Sequence, residues 1–250
     1  MDFNWKKPSH LFSLFALILS LGILIVLPTI TFFLLPTATS TDYLSDLSAS
    51  AKMFFEITLL LLQFILVAGS MVIVPLLWYT LVNKYSLRAI FAHLNLHKKQ
   101  WDKAILYGVG TVVICFAIIF IIDLVLVQLG LNLNDSSNIT DLEQYFSLPA
   151  IFVLLTVQPI AEEIFFRGFL LDKLQNIAGA KIAIVTTGIL FGLAHLLYGN
   201  PYPAFAITFV GIIFAYIVVK TRNLKTVIIA HILFNVTSFV LYLVSQSLTV

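Results

Sequence analysis

Residues 11–35 decide the fold of this chain; they read LFSLFALILSLGILIVLPTITFFLL and contain no charged side chain. A helix rises about 1.5 Å per residue, so a helix over this stretch exceeds the roughly 30 Å hydrocarbon core of a bilayer. It also satisfies its own backbone hydrogen bonds, which the bilayer core requires. We therefore predict a membrane-spanning helix. We expect it to be retained, since cleaved signal sequences have apolar runs of only about 7 to 15 residues.

The same pattern recurs along the 250-residue chain. Hydrophobic residues make up 60% of it and charged residues 10%, against about 25% charged residues in an ordinary globular domain. The mean hydropathy is +1.04. This composition excludes a disordered chain, a secreted disulfide scaffold and a cytosolic enzyme. We predict an all-α polytopic membrane helix bundle with about seven transmembrane helices, at residues 11–35, 53–82, 104–131, 148–171, 182–198, 204–219 and 226–248. The fifth and sixth are short, so a hairpin that does not fully cross the bilayer stays open.

The basic residues set the predicted orientation. When the seven spans alternate, 12 of the 14 Lys and Arg residues fall on the side of the amino terminus, while Lys52 falls outside and Arg167 lies within a span. Positively charged connectors stay in the cytoplasm, which predicts an N-in, C-out topology. These charges form no basic face, so we expect membrane lipids and no nucleic acid as partners. The single cysteine, Cys115, excludes an intrachain disulfide and a cysteine-rich metal site.

A few polar side chains interrupt the apolar spans. An ionisable group at the bilayer centre costs about 2.5 to 3.5 kcal/mol, so each one needs a partner, a wet cavity or a function. The ionisable groups and amides in the predicted spans are Glu56, Asp123, Glu162, Glu163, Arg167, His195, His231, Gln63, Gln128, Gln158 and Asn235. Glu56 and Asp123 are isolated, and we interpret both as interfacial or hydrogen-bonded structural residues.

Three pairs share a spacing of four, which places both members on one helix face: Glu163 with Arg167, Phe191 with His195, and His231 with Asn235. We interpret the first pair as an intrahelical ion pair with a structural role. Glu162 points about 100° away from Glu163 and therefore needs a partner on another helix.

Small residues predict close helix packing around His195. Gly188 and Gly192 form one small face and Gly211 with Ala215 another. The predicted depths disagree, however, because counting from the cytoplasmic ends puts Glu162 about 10 to 14 Å deep and His195 about 20 Å deep. We therefore expect the fifth span to start late or tilt, or the connector 173–181 to dip into the membrane.

Several membrane-protease chemistries lack their motifs in this sequence. It contains no H-E-x-x-H zinc motif and no G-x-S-x-G serine turn. The candidate catalytic side chains that remain in the spans are glutamate, two histidines and an asparagine. A base that takes a proton from water promotes its attack on a peptide carbonyl, and two hydrogen-bond donors can stabilise the developing oxyanion.

Three motifs in this order resemble the CAAX prenyl protease and bacteriocin-processing family, also called the Abi or CPBP family. They are E-E-x-x-x-R at residues 162–167, F-x-x-x-H at residues 191–195 and H-x-x-x-N at residues 231–235. Each motif is short, but the three together within 74 residues are specific. The resemblance divides the chain into N-terminal spans at residues 1–148 and a catalytic membrane core at residues 149–248.

The resemblance implies an intramembrane endopeptidase. Glu162 would be the general base and His195 would help to hold the water, while His231 and Asn235 could donate to the oxyanion. Glu163, Arg167 and Phe191 would support the site. We predict no cofactor; the alternative is a zinc-dependent protease of the same family, since one Glu and two His are a known catalytic zinc set.

Two other classes of function stay open. The polar cluster could only pack helices in a non-catalytic immunity or scaffold protein, or it could relay ions in a transporter, although the chain shows no repeated halves. Lys outnumbers Arg 11 to 3, which hints at a low-GC bacterium and hence at the plasma membrane. Such cells generally lack prenylated CAAX proteins, so we favour a small membrane-associated peptide as the substrate.

Overall fold

A computed structural model describes residues 3–34, 47–96, 100–130, 143, 145–196 and 201–248. Within these residues the chain is helical and has no β-strand. The helices are α1 (Pro8–Leu34), α2 (Ala49–Leu81), α3 (Leu87–His93), α4 (Trp101–Gln128), α5 (Leu148–Leu193), α6 (Pro201–Thr221) and α7 (Leu224–Leu248). All but α3 are long and apolar enough to cross a membrane. The predicted polytopic helix bundle is confirmed, and the protein is an integral membrane protein; its N-in orientation stays a prediction.

Helix α5 consists of two arms that meet at Gly179. This glycine has φ 80° and ψ 167°, a backbone conformation that breaks the helix and that glycine adopts at low cost. The guanidinium carbon of Arg167 lies 4.1 Å from the centre of the Phe191 ring. A straight helix would separate these residues by about 36 Å. The chain therefore reverses at Gly179, and counting the two arms separately gives seven segments.

The fold corrects the predicted boundary between the fourth and fifth spans. The sequence prediction ended the fourth span at Leu171 and left residues 173–181 as a connector, but the helix continues through Leu171 to the break at Gly179. Polar residues there made the last turns of the first arm look like a loop. The second arm, residues 180–193, is about 21 Å long at helical rise and is thus shorter than the hydrocarbon core.

The second arm of α5 packs closely on α6 through the predicted small faces. A Cβ atom added to Gly188 would lie 2.9 Å from the backbone nitrogen of Ile212, and one added to Gly192 would lie 2.6 Å from the carbonyl oxygen of Ala204. Neither position has room for a side chain. The sequence interpretation of close backbone approach is therefore confirmed, and it fixes α6 against the arm that leads to His195.

The two isolated acids tie helix ends together, as interpreted from the sequence. Glu56 of α2 accepts hydrogen bonds from the backbone nitrogen and the hydroxyl of Ser147, at 3.0 and 2.6 Å, at the start of α5. Asp123 of α4 accepts a hydrogen bond from the hydroxyl of Tyr202 at the start of α6. Both acids thus have structural partners.

Candidate active site

The site is built around a buried ion pair on α5. Arg167 Nη1 donates to Glu163 Oε1 at 2.8 Å, and both side chains are fully buried. Arg167 Nη2 also donates to the carbonyl oxygen of Gly211 at 3.2 Å. Residues 164–170 form a π-helical turn, a local widening that is frequent at functional sites. The predicted intrahelical ion pair is confirmed as a contact.

His231 of α7 joins the two carboxylates. Its Nδ1 lies 2.8 Å from Glu163 Oε1, and its Nε2 lies 3.7 Å from Glu162 Oε2. Both Glu162 and His231 are buried. Glu162 thus finds the partner on another helix that its position required. The contact between His231 and Glu163 was not predicted, because the sequence suggested Arg167 alone as the partner of Glu163.

The turn at Gly179 brings His195 to the level of Glu162. Glu162 precedes this glycine by 17 positions and His195 follows it by 16, so the two residues lie about 25 and 24 Å from the turn. The depth mismatch in the sequence prediction arose from the misplaced connector. His195 lies close enough to Glu162 and His231 to interact with them electrostatically, and its Nδ1 lies 2.7 Å from the carbonyl oxygen of Phe191.

Phe191 lies between His195, His231 and Arg167. Its buried ring is 4.7 Å from the His195 ring and 5.7 Å from the His231 ring, and it faces the guanidinium of Arg167 at 4.1 Å. A cation over an aromatic face is stabilised by the ring quadrupole. The ring therefore contacts Arg167 and both histidines; its role as a site-supporting residue stays a prediction.

Helix α7 determines where Asn235 lies relative to His231. It is half-buried on α7, one turn beyond His231 on the same face and about 6 Å further along the axis. The structure therefore brings Glu162 and His231 into direct proximity, places His195 beside them through Phe191, and puts Asn235 one turn away. The catalytic roles of these four residues stay a prediction.

Two amides belong to the same network, and the sequence analysis gave them no role. Gln158 Nε2 donates to Glu162 Oε1 at 2.7 Å, and Gln63 Nε2 donates to Gln158 Oε1 at 3.0 Å. A signal for Gln158 was present, since it precedes Glu162 by four positions and shares its helix face. No local signal links Gln63 to the site, because it lies 95 residues away in sequence.

A catalytic zinc ion is typically held by three protein side chains. Among the residues that the structure describes, no three His, Cys, Asp or Glu side chains gather closely enough to hold one ion. Of the three zinc ligands considered, Glu162 and His231 form a contact at 3.7 Å, and His231 also contacts Glu163 at 2.8 Å. The zinc alternative would require His195 to move towards this pair, and both mechanisms stay predictions.

Comparison with protein families gives one match. Residues 144–237 match the family model described as type II CAAX prenyl endopeptidase Rce1-like. Comparisons with curated proteins and with solved structures give no match. The matched segment includes Glu162, His195, His231 and Asn235 together with the ion pair of α5. Over residues 144–237, which make up less than half of the chain, the protein is therefore similar to the family described as type II CAAX prenyl endopeptidase Rce1-like.

Proposed function

We propose that this protein is an intramembrane endopeptidase that hydrolyses a peptide bond in a membrane-associated peptide, with water activated by Glu162. The observation that carries the proposal is the pairing of Glu162 Oε2 with His231 Nε2 at 3.7 Å in a buried site. The distance is too long for a direct hydrogen bond. A water about 2.8 Å from both atoms would bridge them. This water would be the nucleophile.

The reaction needs one base and one set of oxyanion donors. Glu162 takes a proton from the water as its oxygen bonds to the peptide carbonyl carbon, and the carbonyl oxygen gains the negative charge. When the C–N bond breaks, Glu162 returns that proton to the leaving amine. The second proton of the water stays on the new carboxyl group, so the products are one peptide with a carboxylic acid terminus and one with an amino terminus. His195, at the level of Glu162, would orient the water.

The contact with Glu163 suits His231 to a role as oxyanion donor. Glu163 accepts a hydrogen bond from Nδ1 and thereby fixes the ring so that Nε2 faces Glu162. With a hydrogen on both ring nitrogens, His231 would balance the charges of Glu162, Glu163 and Arg167 to zero. Its Nε2–H would then be available to the developing oxyanion, with the Asn235 amide as the second donor.

One observation favours a zinc-dependent protease as a second candidate. Histidines that bind zinc commonly donate their other ring N–H to a carboxylate, and His231 does this towards Glu163. In that case Glu162, His195 and His231 would hold the ion, which would polarise the substrate carbonyl as a Lewis acid. We favour the metal-free mechanism because, of these three described side chains, Glu162 and His231 form the one ion-pair contact, at 3.7 Å.

The test compares cells that contain the wild-type protein with cells that contain Glu162→Gln. Mass spectrometry should find membrane-associated peptides that accumulate only in the variant, and purified wild-type protein in vesicles should cleave them. A farnesylated CAAX peptide serves as a second probe because of the family match. Gln128→Leu, an exposed amide at the end of α4, is the control. No accumulation, together with no cleavage of either kind of peptide, would refute the proposal and favour an immunity or scaffold role.

A further inference from the structure

A row of two amides leads from α2 to Glu162. Gln63 Nε2 lies 3.0 Å from Gln158 Oε1, and Gln158 Nε2 lies 2.7 Å from Glu162 Oε1. All three groups lie in membrane-spanning helices, where water does not compete for their hydrogen bonds and an unpaired polar group is costly. Gln63 also lies outside residues 144–237, the segment that matches the family. The site therefore extends into the N-terminal half of the chain.

The row has a fixed direction. A side-chain amide has an acceptor at its oxygen and donors at its nitrogen. Because the oxygen of Gln158 is occupied by the N–H of Gln63, its NH₂ group faces Glu162. Turning the Gln158 amide over would place two oxygens and two NH₂ groups against each other. The ionised carboxylate can only accept, so Gln158 donates to it, and the N–H of Gln63 then holds the Gln158 oxygen in this orientation.

This direction makes the two oxygens of Glu162 inequivalent. Oε1 accepts from Gln158 whether the carboxyl group is ionised or carries a proton on its other oxygen. Oε2, which lies 3.7 Å from His231 Nε2, is left to take a proton. A carboxylate without the row could rotate and offer either oxygen in either direction. The two amides thus fix the orientation of Glu162 Oε2, the oxygen that faces His231.

We propose that Gln63 and Gln158 are positioning residues that aim Glu162 Oε2 at the reacting water, and that Gln63 acts only through Gln158. The proposal rests on the proposed role of Glu162 as the general base. It assigns a function to Gln63 of α2, a residue that the sequence identified only as an amide within an apolar span. Neither amide touches the substrate; each acts on the orientation of the next group.

The kinetic test uses leucine, which keeps most of the side-chain volume and suits a membrane helix. With an accumulated peptide or a farnesylated CAAX peptide, whichever the purified wild-type protein cleaves in vesicles, Gln158→Leu should lower kcat about tenfold and Gln63→Leu about threefold, each with KM within about twofold of wild type. The double variant should match Gln158→Leu alone, because Gln63 has no second route to Glu162. Gln128→Leu should leave kcat unchanged. Equal losses from Gln63→Leu in the wild-type and Gln158→Leu backgrounds would overturn the proposal, as would losses confined to KM.

A second measurement does not depend on activity. Infrared difference spectra of wild type against Glu162→Gln isolate the carboxyl bands of residue 162. These bands should shift in Gln158→Leu, shift less in Gln63→Leu and stay in place in Gln128→Leu. Bands that do not move in Gln158→Leu would overturn the proposal even if the protein proves to be a protease. Shifted bands in a protein that cleaves no peptide would instead retain the amide row and refute the proposed function.

Discussion

Helix α5 and the outer helix α4 differ in how much of their length is buried within the bundle. In their most apolar windows, 44% of α5 is buried but only 17% of α4. α4 presents Leu106, Phe120 and Val127 outwards, each at least 60% exposed, as a helix that faces lipid would. α5 instead encloses an arginine and two glutamates. One part of the bundle therefore faces lipid, while the other encloses polar and charged side chains.

The largest expected effect is the loss of activity in Glu162→Gln. Glutamine keeps the shape of the side chain, and its carbonyl oxygen can still accept the hydrogen bond from Gln158. It cannot take a proton from water, so we expect kcat to fall by about 10² to 10⁴-fold. The thermal unfolding temperature in detergent should stay close to that of wild type. Retained activity would show that Glu162 is not the general base. It would also contradict a catalytic role for the buried polar groups of α5.

The buried ion pair should matter for folding more than for chemistry. Arg167→Ala removes the positive partner of the fully buried Glu163 and leaves one negative charge of the cluster with Glu162 and His231 uncompensated, and breaking a buried pair costs about 3 to 5 kcal/mol. We expect low protein levels and a lowered unfolding temperature for Arg167→Ala and for Glu163→Ala. Lys181→Ala, at an exposed position of the same helix, is the control and should accumulate normally. If both core variants fold like wild type but lose activity, the pair is catalytic and its structural assignment is wrong.

Much of this architecture follows from the sequence alone. Apolar runs predict the helices, and spacings of four predict the ion pair and the face shared by Phe191 and His195. Contacts between helices carry no such signal, so the contact of His231 with Glu163 and the approach of Gln63 to Gln158 were missed. The connector error has a related cause, because hydropathy ends a span where polar residues begin, whereas the helix ends only at Gly179, where the backbone changes conformation.

Alanine substitutions at one glycine of α5 and one glycine of α4 test the difference in packing between these helices. Alanine at residue 188 of α5 would place its Cβ 2.9 Å from the backbone nitrogen of Ile212, whereas alanine at residue 110 of α4 would meet no atom within 4 Å. We expect Gly188→Ala to lower stability by about 1 to 3 kcal/mol, the usual cost of overpacking. Gly110→Ala should be neutral or slightly stabilising, since alanine favours helices. Unfolding in detergent, followed by circular dichroism, measures both; equal effects would contradict the contrast in packing.

The smallest expected effect is that of metal removal. In the proposed mechanism Glu162 supplies the base, His195 orients the water, and His231 and Asn235 stabilise the oxyanion, so no step needs a Lewis acid. Purified protein should therefore keep its activity after prolonged chelation and dialysis. Elemental analysis should find well under one zinc per active chain. The enclosed region would then perform its chemistry with side chains alone.

Chelation by itself is a weak probe, because an ion enclosed among buried side chains exchanges slowly and a chelator can perturb a detergent-solubilised protein. Stoichiometry combined with rescue is decisive. About one zinc per active chain, with activity lost on its removal and regained on its return, would overturn the metal-free mechanism. Glu162, His195 and His231 would then be the ligands to test, and substitution of any one of them should lower the bound zinc in parallel with activity. Bound zinc that stays constant while activity is lost would instead support their roles with water and the oxyanion.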